Sequence, residues 1–185
     1  MANAMRANTE MDSPNIPKLT DGVVFLRPLC AEDAAEHLAG EDDEMAKWLS
    51  GGRSTLANVR NYIEKSKESW RNSGPRRAFG VFDCATERLI GSVEVNLARI
   101  LEPGQVNVSC GIFREWRGRG LALRALDLMG EYLRVGTDVR QMVLRIAPAN
   151  TASVKMAKKA GFAFLGVFDE PEGSLARYVR ELSQR

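Results

Sequence analysis

Apolar and polar positions change rhythm several times along these 185 residues, and each change marks an element. Val23-Val24-Phe25-Leu26-Arg27-Pro28-Leu29 is rich in β-branched and aromatic residues and is ended by proline, which predicts a first strand. Glu32-Asp33 open a short helix toward Leu38, and an acidic, glycine-containing stretch from Glu41 to Gly52 interrupts the pattern. Leu56, Val59, Ile63 and Trp70 return near helical spacing, predicting a helix from Leu56 to Asn72 that Ser73-Gly74-Pro75 stops.

The period then shortens to two. Ala78 to Phe82 reads as a strand, Asp83 to Glu87 as a turn, and Leu89 to Leu97 as a second strand, with Val93, Val95 and Leu97 alternating against Ser92, Glu94 and Asn96. Pro103-Gly104 marks a turn before a strand from Val106 to Phe113. Helical spacing resumes from Leu121 to Val135, where Leu121, Ala122, Ala125, Leu126, Leu128, Met129, Tyr132 and Leu133 form one stripe. Gln141 to Ala147 is a strand, Asn150 to Lys159 a helix ending at Gly161, Phe162 to Phe168 a strand, and Leu175 to Leu182 the last strand. Strand, helices, antiparallel meander, then strand–helix–strand is a mixed α/β (α+β-like) order, not a doubly wound sheet.

Composition narrows the function classes. With 44% hydrophobic and 27% charged residues the chain is expected to form one globular domain over residues 19–185, preceded by a polar, flexible arm over residues 1–18. Basic and acidic residues nearly balance, 26 against 24, so no global basic field suggests a nucleic-acid partner. No apolar run approaches the ~20 residues that span a bilayer, and no hydrophobic leader core is present, so the expectation is a cytoplasmic protein without a membrane partner. Cys30, Cys84 and Cys110 are scattered and His37 is the lone histidine, which argues against a metal site or a disulfide framework.

The chemistry concentrates in Arg117-Gly118-Arg119-Gly120-Leu121-Ala122, between a strand and a strong helix. Free amides at a helix N-terminus point at an anion, the helix dipole adds partial positive charge, and two arginines add more. The run reads as a pyrophosphate cradle. A P-loop would need Gly-Lys-Ser/Thr, which is absent. A Rossmann turn would need a third glycine where Leu123 stands, and an acid after the next strand, where Ala147-Pro148-Ala149-Asn150 runs instead. A turn with solvated arginines is the plain alternative.

Arg117-Gly118-Arg119-Gly120-Leu121-Ala122 fits Arg/Gln-x-x-Gly-x-Gly/Ala and resembles the acetyl-CoA signature of the GNAT N-acetyltransferases. Phe25 to Leu29 with Glu32-Asp33 resembles that family's opening strand and helix. Asn150-Thr151-Ala152-Ser153 and Lys159-Ala160-Gly161-Phe162 resemble its C-terminal half, in the form of the branch that includes ribosomal-protein N-terminal acetyltransferases. The resemblance covers roughly Leu19 to Leu182. It implies a central, mostly antiparallel sheet of about seven strands with a parallel splayed pair, flanked by about four helices.

The resemblance also implies roles. Backbone groups of Gly111, Ile112 and Phe113 would bind the pantetheine arm of acetyl-CoA, and the loop from Arg117 through Gly118, Arg119, Gly120 and Leu121 to Ala122 would hold its pyrophosphate. Asn150 and Ser153 would touch the arm, although Asn150 equally suits an N-cap. An amine would attack the thioester directly, with backbone amides near Phe113 stabilising the oxyanion. Many relatives carry a tyrosine acid where this chain has Ala157. Ser153 substitutes, Tyr178 approaches from the last strand, or the thiolate leaves without a dedicated acid. Glu94 is the candidate base and also reads as a solvated strand carboxylate.

Glu41-Asp42-Asp43-Glu44 suits attraction of a cationic acceptor or a solvated loop, and Trp48 suits pocket lining or packing. Cys110 reads as a small buried residue rather than an acetyl carrier. The acceptor class implied is a small-molecule amine or a protein N-terminus, and the apolar last strand suggests pairing in a homodimer. A non-catalytic acyl-CoA sensor with the same fold, or a nucleotide-binding protein using the same turn, are the rival classes.

Overall fold

Eight strands hydrogen-bond into one sheet in the order β1-β2-β3-β4-β5-β6-β8-β7 in the computed structural model, which describes residues 18–98, 101–171 and 173–182. They are β1 (Leu19–Thr20), β2 (Val24–Arg27), β3 (Arg76–Asp83), β4 (Leu89–Asn96), β5 (Gln105–Ile112), β6 (Gln141–Ile146), β7 (Ala163–Glu170) and β8 (Gly173–Glu181). All neighbours pair antiparallel except β5 with β6. The helices are α1 (Ala34–Gly40), α2 (Asp43–Met45, continued by a π-helical turn Ala46–Ser50), α3 (Leu56–Arg71), α4 (Leu121–Gly136) and α5 (Thr151–Lys159). The arm expected over residues 1–18 lies outside the described residues, apart from Lys18.

Strand alternation sorts the side chains onto two faces. Val93 and Val95 of β4, Val106 and Val108 of β5, and Met142 and Leu144 of β6 join the α4 stripe of Leu121, Ala125, Leu126, Met129 and Leu133 in one buried cluster. At about 1.5–3 kcal/mol for each fully buried large aliphatic side chain, that stripe is what fixes α4 on the sheet. Phe25, Phe82, Leu89 and Phe113 turn to the opposite face and pack with Val59 and Ile63 of α3 and Met45 of α2 in a second cluster. Arg180 of β8 staples the helices of the first face, donating to the carbonyls of Leu126 and Ala160 at 3.0 Å each and to Asp127 at 2.7 Å.

Two expectations change. The stretch Glu41 to Gly52 is largely helical: Asp42 caps α2 by accepting from the Met45 amide at 3.0 Å, and Met45 and Ala46 bury beneath it. The last strand, β8, lies between β6 and β7 with both edges hydrogen-bonded, so it has no free edge to pair across a dimer.

Candidate active site

β5 and β6 are paired only from Gln105 to Asn107 against Gln141 to Val143, although β5 continues to Ile112 and β6 to Ile146. The strands therefore part into a wedge. The Phe113 amide donates to the Ile90 carbonyl at 2.8 Å, toward β4. Ladder alternation then turns the backbone groups of Val108, Cys110 and Ile112 into the wedge and those of Ser109 and Gly111 toward β4. Of the three residues expected to offer backbone groups to a pantetheine arm, only Ile112 faces the gap. The Phe113 amide, taken by Ile90, is not available to an oxyanion.

The loop at the wide end of the wedge is shaped by two left-handed glycines, Gly118 (φ 78°) and Gly120 (φ 75°). A Cβ at either position would meet open space, so backbone conformation rather than crowding requires glycine here. Gly120 caps α4 without a side chain. Among the described residues, the amides of Gly118, Arg119, Gly120, Leu121 and Ala122 find no protein acceptor. The arginines beside them are committed elsewhere. Arg119 donates to the Glu115 carbonyl at 2.9 Å and lies over Trp116. Arg117 donates to the Ile112 carbonyl at 2.7 Å and, through both terminal nitrogens at 2.8 Å each, to Asp42. The guanidinium holds the Asp42 carboxyl below its ordinary value.

Asn150 is the N-cap of α5, accepting from the Ser153 amide at 3.1 Å. Ser153 is half-buried in the first turn. The Gly161-Phe162 pair closes the helix: Gly161 is left-handed (φ 77°), and the Phe162 amide reaches back to the Ala157 carbonyl at 3.0 Å, a Schellman stop.

On the α1/α3 face, Glu94 of β4 accepts from the Tyr62 hydroxyl at 2.9 Å and pairs with Arg76 at 3.3 Å. Its side chain is 21% exposed, which excludes the freely solvated carboxylate. Burial pushes its pKa up, while Arg76 and Tyr62 oppose that rise. Burial also pushes up Tyr62, so its hydroxyl stays a donor. His37 is wedged between the Tyr62 and Phe113 rings, and burial lowers its pKa, favouring neutral imidazole.

Comparison with known proteins identifies the family. Residues 24–163 match the model of the acetyltransferase (GNAT) domain. The chain belongs to the GNAT acetyltransferase family. A curated relative, "Probable N-acetyltransferase YjcK" of Bacillus subtilis (strain 168), is 24% identical over 159 residues, covering 78% of this chain and 82% of its own. Among solved structures, a GNAT-family acetyltransferase from Bacillus anthracis superposes with a TM-score of 0.76 at 16% identity, covering 90% of this chain and 99% of that one. RimL, a ribosomal L7/L12 α-N-protein acetyltransferase crystallised with coenzyme A, superposes with a TM-score of 0.73 at 14% identity, covering 90% and 97%.

Within this GNAT frame, the acid candidates lie across the sheet from Glu94. Tyr178 is 5% exposed and shares a buried cluster with Ala157, Leu144 and Ile112. Cys110 packs beside that cluster, and burial pushes its thiol up to about 12, which suits a packed residue and not a nucleophile. The acidic run is spoken for: Glu41 anchors the Ser54 amide and hydroxyl, Asp42 holds Arg117, Asp43 holds Arg53, and Glu44 accepts from Trp48. Sequence reasoning missed Tyr62 and Arg76, and it read Asp42 only as part of an acidic run, not as the partner of Arg117. Tyr62 offered a faint signal, a polar aromatic beside Ile63 at the margin of the α3 stripe.

Proposed function

We propose that the protein transfers an acetyl group from acetyl-CoA to a primary amine, on a small molecule or a protein N-terminus, by direct attack in the β5–β6 wedge. One observation carries this reading: five consecutive amides without acceptors among the described residues, at two left-handed glycines opening a long helix, beside strands whose backbone groups face a gap. Amides of Gly118 to Ala122 suit the pyrophosphate through hydrogen bonds and the helix dipole. Backbone groups of Val108 and Cys110 suit a pantetheine arm lying as a pseudo-strand, because Arg117 already holds the Ile112 carbonyl. Asn150, whose side-chain nitrogen is left over from capping, and Ser153 line the α5 end.

Glu94 takes the proton from the acceptor ammonium, Tyr62 orients the carboxylate, and Arg76 keeps it ionised. The amine attacks the thioester carbonyl from the α1/α3 face, and an inward amide such as that of Ile112 stabilises the oxyanion. The C–S bond then breaks and the thiolate leaves toward α5, where Tyr178 and Ser153 are the protein's hydroxyls. Glu94 on one face and Tyr178 on the other give attack and departure separate sides. The reading includes a cytoplasmic location and the whole activity within residues 19–185.

Calorimetry with acetyl-CoA, CoA, ATP and NAD, followed by thiol release with a panel of amines, tests this. Preference for the CoA compounds together with amine-dependent thiol release is the expected result. Binding of ATP or NAD in preference to CoA overturns it.

A further inference from the structure

Arg117 belongs to the motif that suits a pyrophosphate, yet its side chain is turned away from the open loop. Its Nε donates to the Ile112 carbonyl at 2.7 Å, and Nη1 and Nη2 grip the two Asp42 oxygens at 2.8 Å each. A planar guanidinium held on three nitrogens cannot reach a phosphate without surrendering a bidentate pair. Asp42 has a second task, since Oδ1 also accepts from the Met45 amide at 3.0 Å and so starts α2.

What α2 carries is the wall of the cleft. A Cβ on Gly111 would lie 2.5 Å from Leu49 Cδ1 and 3.1 Å from Met45 Cε, so the bare glycine lets both side chains close onto β5 at the acyl end. Gly40 at the end of α1 does the same for the Phe113 ring, where a Cβ would sit 2.2 Å from Cδ2. Loop, strand end and acceptor-side helices thus interlock through one ion pair spanning 75 residues of sequence.

We propose that Arg117 and Asp42 form a positioning latch, which sets the Met45–Leu49 wall against the acyl end of the cleft and couples it to cofactor occupancy of the loop; Arg117 is not a phosphate ligand. This rests on the acetyl-CoA reading above. The coupling runs from the loop backbone through Arg117 to Asp42, and from Asp42 through its cap to α2.

Asp42→Asn separates the roles, because asparagine retains the capping oxygen while removing the charge pair. Acetyl-CoA affinity is measured by calorimetry, and amide exchange over residues 43–50 is followed with and without acetyl-CoA. In wild type, acetyl-CoA slows that exchange by about tenfold, the scale of a modest coupling between sites. In Asp42→Asn and in Arg117→Ala the protection disappears while acetyl-CoA affinity stays within about twofold, and the double variant matches the singles, as residues acting through one contact do. Protection that persists in Asp42→Asn overturns the latch. So does a tenfold loss of acetyl-CoA affinity confined to Arg117→Ala, which makes Arg117 a phosphate ligand. Wild type that fails to bind acetyl-CoA overturns the proposed function instead; exchange without ligand then decides the latch, which fails if wild type and Asp42→Asn are identical.

Discussion

The loop side and the acceptor side of the wedge are built from different material. On the loop side the groups that face the opening are backbone amides, aimed by the left-handed turns at Gly118 and Gly120. On the α3 face, which the proposed function assigns to the acceptor, they are side chains drawn from three elements, Tyr62 of α3, Arg76 of β3 and Glu94 of β4. A backbone site depends on sequence only where conformation demands glycine, so it persists while everything around it drifts. A side-chain site is respecified by any one substitution. Relatives only 14–24% identical can therefore share the fold, while the acceptor remains a property of each chain.

Substitutions on each side sharpen that contrast. The largest effect is expected from Gly120→Trp, which fills the open space over the loop. Acetyl-CoA affinity should fall by about 1,000-fold, roughly 4 kcal/mol, by calorimetry. A left-handed non-glycine residue costs only about 1–2 kcal/mol, so the fold should survive. Next comes Glu94→Gln, where loss of a general base should lower kcat by about 100-fold or more with acetyl-CoA affinity unchanged. Because burial holds the Glu94 pKa above the ordinary carboxylate value, the acidic limb of the wild-type kcat/KM profile should lie above that of a free carboxylate, with activity rising through it as the carboxylate ionises. The glutamine variant should lose the limb. A smaller effect follows from Tyr62→Phe, which removes a hydrogen bond that favours the charged carboxylate. The limb should move to higher pH, and kcat/KM should fall about fivefold, the equivalent of about 1 kcal/mol for one hydrogen bond. Asn150→Ala should be mildest, costing about 1 kcal/mol of stability in thermal unfolding through the lost cap.

The same contrast explains how much could be read in the sequence. Strand and helix periods are local, so the meander from β3 to β5 and the stripe of α4 were legible within a few residues of their ends. The left-handed turns at Gly118 and Gly120 were legible because glycine announces a backbone conformation. The Arg117–Asp42 and Tyr62–Glu94 contacts span 75 and 32 residues and leave no local trace. A basic residue beside a glycine loop suggests phosphate, and only the fold shows the aspartate that holds Arg117. The helix at Asp43 to Ser50 was hidden for a related reason. Its acidic, glycine-flanked composition suggests solvent, but its stability comes from the Asp42 cap and from burying Met45 and Ala46.

The parting of β5 and β6 also bears on how the protein holds together when nothing is bound. An interior sheet edge with unpaired backbone groups is one that water must satisfy. An occupant bridging both strands would serve as the absent rung. At one hundred times its dissociation constant it would add about 2.7 kcal/mol to the folded state, and the melting temperature would climb with its concentration. Proteolysis of the folded protein should therefore slow as the concentration of its own co-substrate rises.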